Sequence, residues 1–200
     1  MELSFERCGP ENTTAALVYA LGYARQNGIK FVVVASTRGI TGRDAVTIFK
    51  GSGIKVVIVT HGVGHKEAGV FQFEDPGLVE ELRQAGADVY IGTTVFESLD
   101  SAIKHVGIQS QNRLIADTLR MFGQGVKVCA EIATSAADAG FIPVGENVLC
   151  VAGTGKGADT VVLLRAENSK RFLDMEIIKI LAKPKETKKE FKARCDYKGQ

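Results

Sequence analysis

The sequence predicts an α/β fold: a mostly parallel sheet with helices on both faces and one strand reversed. Three observations carry this. Short β-branched runs such as Phe31-Val-Val-Val-Ala35 and Val148-Leu-Cys-Val-Ala152 end in glycine- and hydroxyl-rich loops, as buried parallel strands do. Helical and extended patterns alternate through the first half of the chain, which argues for parallel crossover units. The fourth and fifth extended runs are separated only by residues 153–159, too few for a helical crossover, so the fifth runs antiparallel to the fourth.

Taken in order, residues 12–27 read as a helix, with Asn12 or Thr13 as N-cap and Gly28 as stop. Phe31–Ala35 is the first strand. Residues 44–49 begin a helix that ends near Gly51, and 55–60 form the second strand. A helix over 76–85 has Pro76 at its start and Gly86 at its end. The third strand is 87–91. Helical patterns follow over about 96–106, 112–122 and 127–139. Asn147–Ala152 and Thr160–Arg165 are the fourth and fifth strands. Residues 176–182 alternate as an edge strand does, with a helix as the alternative. Residues 62–75 are the least patterned and are expected to form a mobile loop over the site.

Two hundred residues suit one domain, assigned to 1–183. The 45% hydrophobic and 24% charged fractions are those of a globular chain. The net charge of +2 hides an uneven distribution. From Lys183 onward there are seven basic and three acidic residues, so this end carries +4 and the body −2. A mildly acidic body argues against nucleic-acid binding. Residues 184–200 are expected to be a basic, disordered tail, with Phe191 and Tyr197 its only large apolar anchors. The four cysteines are scattered without metal-ligand spacing. No signal peptide is read at the N-terminus. No apolar run reaches the ~18 residues that would span a membrane. The expected compartment is the cytoplasm. The expected partner is a phosphorylated small molecule rather than nucleic acid, membrane or metal, and association with a second copy is left open.

In an open α/β sheet, ligands bind beyond the carboxyl ends of the parallel strands. That rim collects Ser36 to Arg43, His61 to His65, Gly92 to Thr94 with Thr93 between, Gly153 to Thr160, and the helix start at Asn12. Ser36, Thr37, Gly39, Thr41, Gly42 and Arg43 place hydroxyls, glycines and a cation before a helix N-terminus, which suits a phosphate; helix capping alone is the alternative. Gly153-Thr154-Gly155-Lys156-Gly157 is neither a Walker A loop nor a dinucleotide fingerprint. It is a glycine hairpin offering Thr154, Lys156 and Thr160 to an anion, or a plain tight turn. His61 and His65 lie in a glycine loop, not at metal-pair spacing on a helix. Glu131 and Asp138, seven apart on one helix face, meet ligand hydroxyls or water.

These residues together resemble the carboxy-terminal α/β domain of pyruvate kinases. They resemble more closely a family of small stand-alone proteins built from that domain alone. The likeness spans about 8–184. It rests on Glu11-Asn12-Thr13, on Val34-Ala-Ser-Thr-Arg-Gly39 with Thr41, on Lys127-Val-Cys-Ala-Glu-Ile132 with Ala136-Ala-Asp-Ala-Gly140, and on Gly153 through Gly157-Ala158-Asp159-Thr160. The resemblance implies a three-layer α/β/α sandwich whose last core strand is antiparallel. It also implies flavin mononucleotide (FMN) at the rim, its phosphate on the Ser36–Thr41 loop. Small residues Gly62, Gly64, Ala136 and Gly155 would then leave a flat slot for the flavin ring. The catalytic barrel of pyruvate kinases is absent from the sequence, so that activity is not implied. A redox enzyme, a regulatory module sensing a sugar phosphate or nucleotide, and an interaction protein acting through its tail are the three functional classes that remain.

Overall fold

Seven strands build the sheet in the computed structural model, which describes residues 2–197 except 74, 76, 97, 105, 106 and 109. Pro76, read as a helix start, and Lys198 of the basic tail lie outside the described residues, as do three positions of the helix expected over 96–106. The strands are β1 (Leu3–Phe5), β2 (Phe31–Ala35), β3 (Lys55–His61), β4 (Asp88–Gly92), β5 (Asn147–Ala152), β6 (Thr160–Arg165) and β7 (Glu176–Pro184). Their order is β1-β7-β6-β5-β2-β3-β4. Strand β6 is antiparallel to both β5 and β7, and every other pairing is parallel. The hairpin over 153–159 imposes that reversal, as the short connection requires.

The helices are α1 (Thr13–Asn27), α2 (Ile40–Phe49), α3 (Leu78–Gln84), α4 (Ser98–Lys104), α5 (Gln111–Arg120), α6 (Gln124–Asp138) and α7 (Lys188–Tyr197). On one face α1, α2 and α3 bury Leu17, Phe49 and Leu82 against Val32, Val34 and Ile58. On the other, α6 buries Val126, Cys129 and Ile132 against Val33, Val57 and Cys150. Strand residues therefore alternate between two cores, which is why β2 and β3 read as continuous apolar runs. Each fully buried Val or Ile contributes about 1.5–3 kcal/mol relative to exposure. Helix α5 packs outside α6, so α6 is buried nearly all round.

One expectation is extended and two change. The run over 176–182 is a strand, β7, and among the described residues its outer side is unpaired up to Leu181, as expected of an edge; β7 continues to Pro184, and β1 adds beside Ala182–Pro184. Three residues of β1 are too short to show a period, so this added strand left no pattern. Helix α2 starts at Ile40, earlier than expected, because Gly39 turns the chain directly from strand to helix at φ 87°. Within the stretch expected to be a disordered tail, Lys188–Tyr197 forms α7. Arg194 holds it down, donating to both carboxylate oxygens of Glu186 (2.8 and 2.9 Å) and to the Cys8 carbonyl (2.8 Å).

Candidate functional site at the carboxyl rim

Strand β2 delivers the first loop to the rim. Ser36 is tied back by its N–H to the Val59 carbonyl (3.0 Å), and its Oγ accepts the Gly42 N–H (2.9 Å). The Thr60 hydroxyl donates to the Thr37 carbonyl (3.2 Å), so β3 also fixes the loop. Ser36 thus closes the first turn of α2, the capping role that had been the alternative. The N–H groups of Ile40 and Thr41 belong to that first turn, where an α-helix supplies no acceptor of its own. Thr41 is buried and Arg43 is exposed. Gly42 does not face a ligand. A Cβ there would lie 3.0 Å from Ile58 Cδ1, so its absence lets α2 sit close on β3. Beside Gly39 pack Phe73 and Leu78, which leave no space for a side chain.

The second loop is spanned by a carboxylate. Buried Asp159 accepts the Thr154 N–H (3.1 Å) and the Thr160 hydroxyl (2.7 Å), and a further bond from the Gly9 N–H. Burial pushes the Asp159 carboxyl upward, and these donors, with the Thr154 hydroxyl as a fourth, oppose the rise. Ala158 donates to Thr13 Oγ1 (2.9 Å). Gly157 lies against Pro10 and Thr13, and a Cβ on Gly153 would meet the Gly157 carbonyl at 2.5 Å. Asp159, Thr160, Ala158 and two of the three glycines are therefore engaged in holding the hairpin to α1. Exposed Lys156 and the backbone around Gly155 remain at its tip. Gly155 has φ 85°, and a Cβ on it would lie 2.8 Å from the Phe191 ring of α7. Asn12 is the N-cap residue of α1, as expected, but makes no side-chain cap bond; its amide donates to the Arg7 carbonyl (2.7 Å). Cys8 adjoins this loop, and burial pushes its thiol up to about 11.

The segment after β3 lies over the first loop. The rings of His61 and His65 stack at 3.9 Å with 7° between planes, so their nitrogens do not converge on one point. Among the described residues no group of three or more His, Cys, Asp or Glu could hold a metal. Gly62 lies beside Gly92 of the neighbouring strand, Gly64 is half-buried against Gly69 of its own loop, and the Thr93 carbonyl accepts the Tyr90 hydroxyl (2.9 Å). Two polar side chains here lack partners: Thr94, already placed on the rim by the sequence, and Gln72, which carries no signal in it. The amide of Gln72, next to Phe73, has both Oε1 and Nε2 buried without a partner, and so has the Thr94 hydroxyl just past β4. An unsatisfied buried polar group costs about 1–3 kcal/mol. Only tertiary structure exposes such a mismatch, because Gln72 sits in the least patterned stretch of the sequence.

Glu131 and Ala136 are not at the rim. Gly125, at the start of α6, abuts Thr160 of β6, and the helix descends from there at about 1.5 Å per residue. Ala136 is packed in the core near the far end. Glu131 is 3% exposed; its carboxylate meets Lys127 Nζ at 2.5 Å and accepts the Phe96 N–H at 3.1 Å. Both oxygens are spent inside the protein, leaving none for a ligand hydroxyl. Asp138 accepts the Ser169 N–H (2.9 Å). A separate cleft of about 540 Å³ opens between Phe96, α5 and the turn carrying Phe172, and no residue expected at the site lines it. Among the described residues no helix is long and apolar enough to cross a membrane.

No family model matches the chain. Solved chains of Cryptosporidium parvum pyruvate kinase are similar to it. One has 14% identity and a TM-score of 0.41, over 78% of this chain and 23% of that one. Another, in complex with ADP, has 14% identity and a TM-score of 0.42, over 78% and 24%. A third has 15% identity and a TM-score of 0.35, over 70% and 20%. This chain spans about a quarter of the length of the pyruvate kinases it matches.

Proposed function

We propose that the chain binds a phosphate-bearing small molecule, FMN, at the carboxyl rim, and that it is a stand-alone relative of the pyruvate kinase carboxy-terminal domain. The observation that carries this is the pair of buried, partnerless polar groups at the rim, the Gln72 amide and the Thr94 hydroxyl. A polar ligand entering beneath the 62–73 segment supplies what they lack. A flavin ring suits the amide in particular, since its pyrimidine edge carries carbonyl and N–H groups side by side, the complement of a primary amide. The phosphate lies on the first turn of α2, where the Ile40 and Thr41 N–H groups and the Thr37 and Thr41 hydroxyls provide donors. A bound flavin would supply redox chemistry; the residues at the rim bind and orient it.

Calorimetric titration with FMN, in parallel with a sugar bisphosphate, tests this reading. Thr41→Val removes one hydroxyl and keeps the shape. A hydrogen bond to a charged group is worth roughly 1.5–3 kcal/mol, so FMN affinity falls on the order of tenfold to a hundredfold. FMN released on denaturing the purified protein, identified by mass, supports the reading directly. Binding of the bisphosphate but not of FMN overturns it in favour of a regulatory module. Unchanged affinity in Thr41→Val removes the α2 start as the phosphate site.

A further inference from the structure

At the start of α6 two cations share one neutral acceptor. Gln124 Oε1 accepts Arg120 Nε at 2.9 Å and Lys188 Nζ at 3.0 Å. Two cations from different elements, α5's last residue and α7's first, thus converge on one neutral oxygen. The nearby carboxylate, Asp117, is engaged by Arg120 (2.6 Å) and by Arg113 (2.7 Å). Lys192 adds a further positive charge within electrostatic reach of Lys188. An amide oxygen supplies a dipole but no charge, so Arg120 and Lys188 share a neutral acceptor, with Asp117 bonded to Arg120 beside them. A lysine ammonium carries three donors and a guanidinium five, and Gln124 and Asp117 take only some of them. The Lys188 ammonium is held below its ordinary range, first by burial and then by Arg120, Lys192 and Arg113, with Asp117 opposing.

We propose that Arg120, Lys188 and Gln124 form a second anion site, which takes the phosphate group of a small molecule. Arg120 donates in its guanidinium plane and Lys188 from its flexible stem, a pairing suited to a tetrahedral dianion. Gln124, turned about its side-chain amide, gives an N–H in place of its oxygen. Helix α7 is part of the site because it delivers Lys188. This goes beyond the FMN reading and shares no residue with the Ser36–Thr41 loop.

The test is a titration of the full chain with inorganic phosphate, followed by amide NMR, with sodium chloride at matched ionic strength alongside. Saturable shifts at the Gln124 and Gly125 signals are expected with phosphate and not with chloride. Lys188→Gln weakens binding at least about tenfold, and Lys188→Arg retains it. Arg120→Gln, which leaves the Glu186–Arg194 anchor of α7 intact, shows the same loss. Absence of saturation in the wild type, equal shifts with chloride (an adventitious ion only), or wild-type affinity in Lys188→Gln or Arg120→Gln overturns the proposal. FMN titration of Lys188→Gln is read separately: retained FMN affinity leaves the first reading standing whatever phosphate does at α6.

Discussion

Asp159 and the Lys127–Glu131 pair show what single buried charges do here. Asp159 holds the Thr154 N–H, the Thr160 hydroxyl and the Gly9 N–H at once. Asp159→Ala leaves those donors unmatched, and a loss of about 2–3 kcal/mol in urea unfolding is expected. A loss within experimental error would mean that the hairpin does not depend on this carboxylate. The Lys127 ammonium lies over the Phe96 ring, 5.5 Å from its centre, while its carboxylate partner takes the Phe96 N–H. Breaking a buried ion pair on one side typically costs about 3–5 kcal/mol, whereas replacing both charges by apolar groups is near neutral. Glu131→Leu alone is therefore expected to destabilise strongly, and the double change Lys127→Met with Glu131→Leu to restore most of the loss. Two equal melting curves for the single and double variants would refute the pairing argument.

Among the elements, α7 departs most from expectation. Its sequence is rich in Lys and carries little apolar surface, so intrinsic preference gives no reason for it to dock. It docks because one aromatic ring, Phe191, finds the bare backbone of Gly155, and because Arg194 clamps Glu186. Truncation after Pro184 is expected to lower the melting temperature by roughly 3–8 °C and to expose the 153–158 hairpin to faster amide exchange. An unchanged melting curve would return the segment to a frayed tail. The clamp also sets a pH window. The Arg194 guanidinium holds the Glu186 carboxyl down to about 2, below the 4.5 of a free glutamate. An acid depressed in the folded state contributes fully above its unfolded value, and the contribution is lost as pH falls toward its folded value. Docking of α7 is thus expected to persist at pH 5 and to fade between about 4.5 and 2, followed by the NMR signals of the Phe191 ring.

At the scale of the whole molecule, the reversed β6 is what brings the two loops to one rim. Its hairpin from β5 returns at the carboxyl end, beside the end of β2, so the 153–160 loop and the 36–43 loop flank each other. Starts of α1 and α6 meet the same hairpin through Thr13 and Gly125.

Read alone, the sequence determined the order of the main elements, the reversed strand and the loops that gather at the rim. Each of these follows from local pattern: β-branched runs, glycine stops and a connection too short for a crossover. Tertiary structure decided which of those loop residues are free to act. Gly42 turned out to be packing for Ile58, Glu131 the acceptor of the Phe96 N–H, and Asp159 that of the Gly9 N–H, and each of these contacts joins residues distant in the chain. It also decided what had no local signature at all. Strand β1 exists only through β7, the lack of partners at Gln72 only through what surrounds it, and the meeting of Arg120 with Lys188 only through the docking of α7. Periodicity records which face of an element is buried, whereas charge balance and hydrogen-bond satisfaction are properties of neighbours that the chain brings together only on folding.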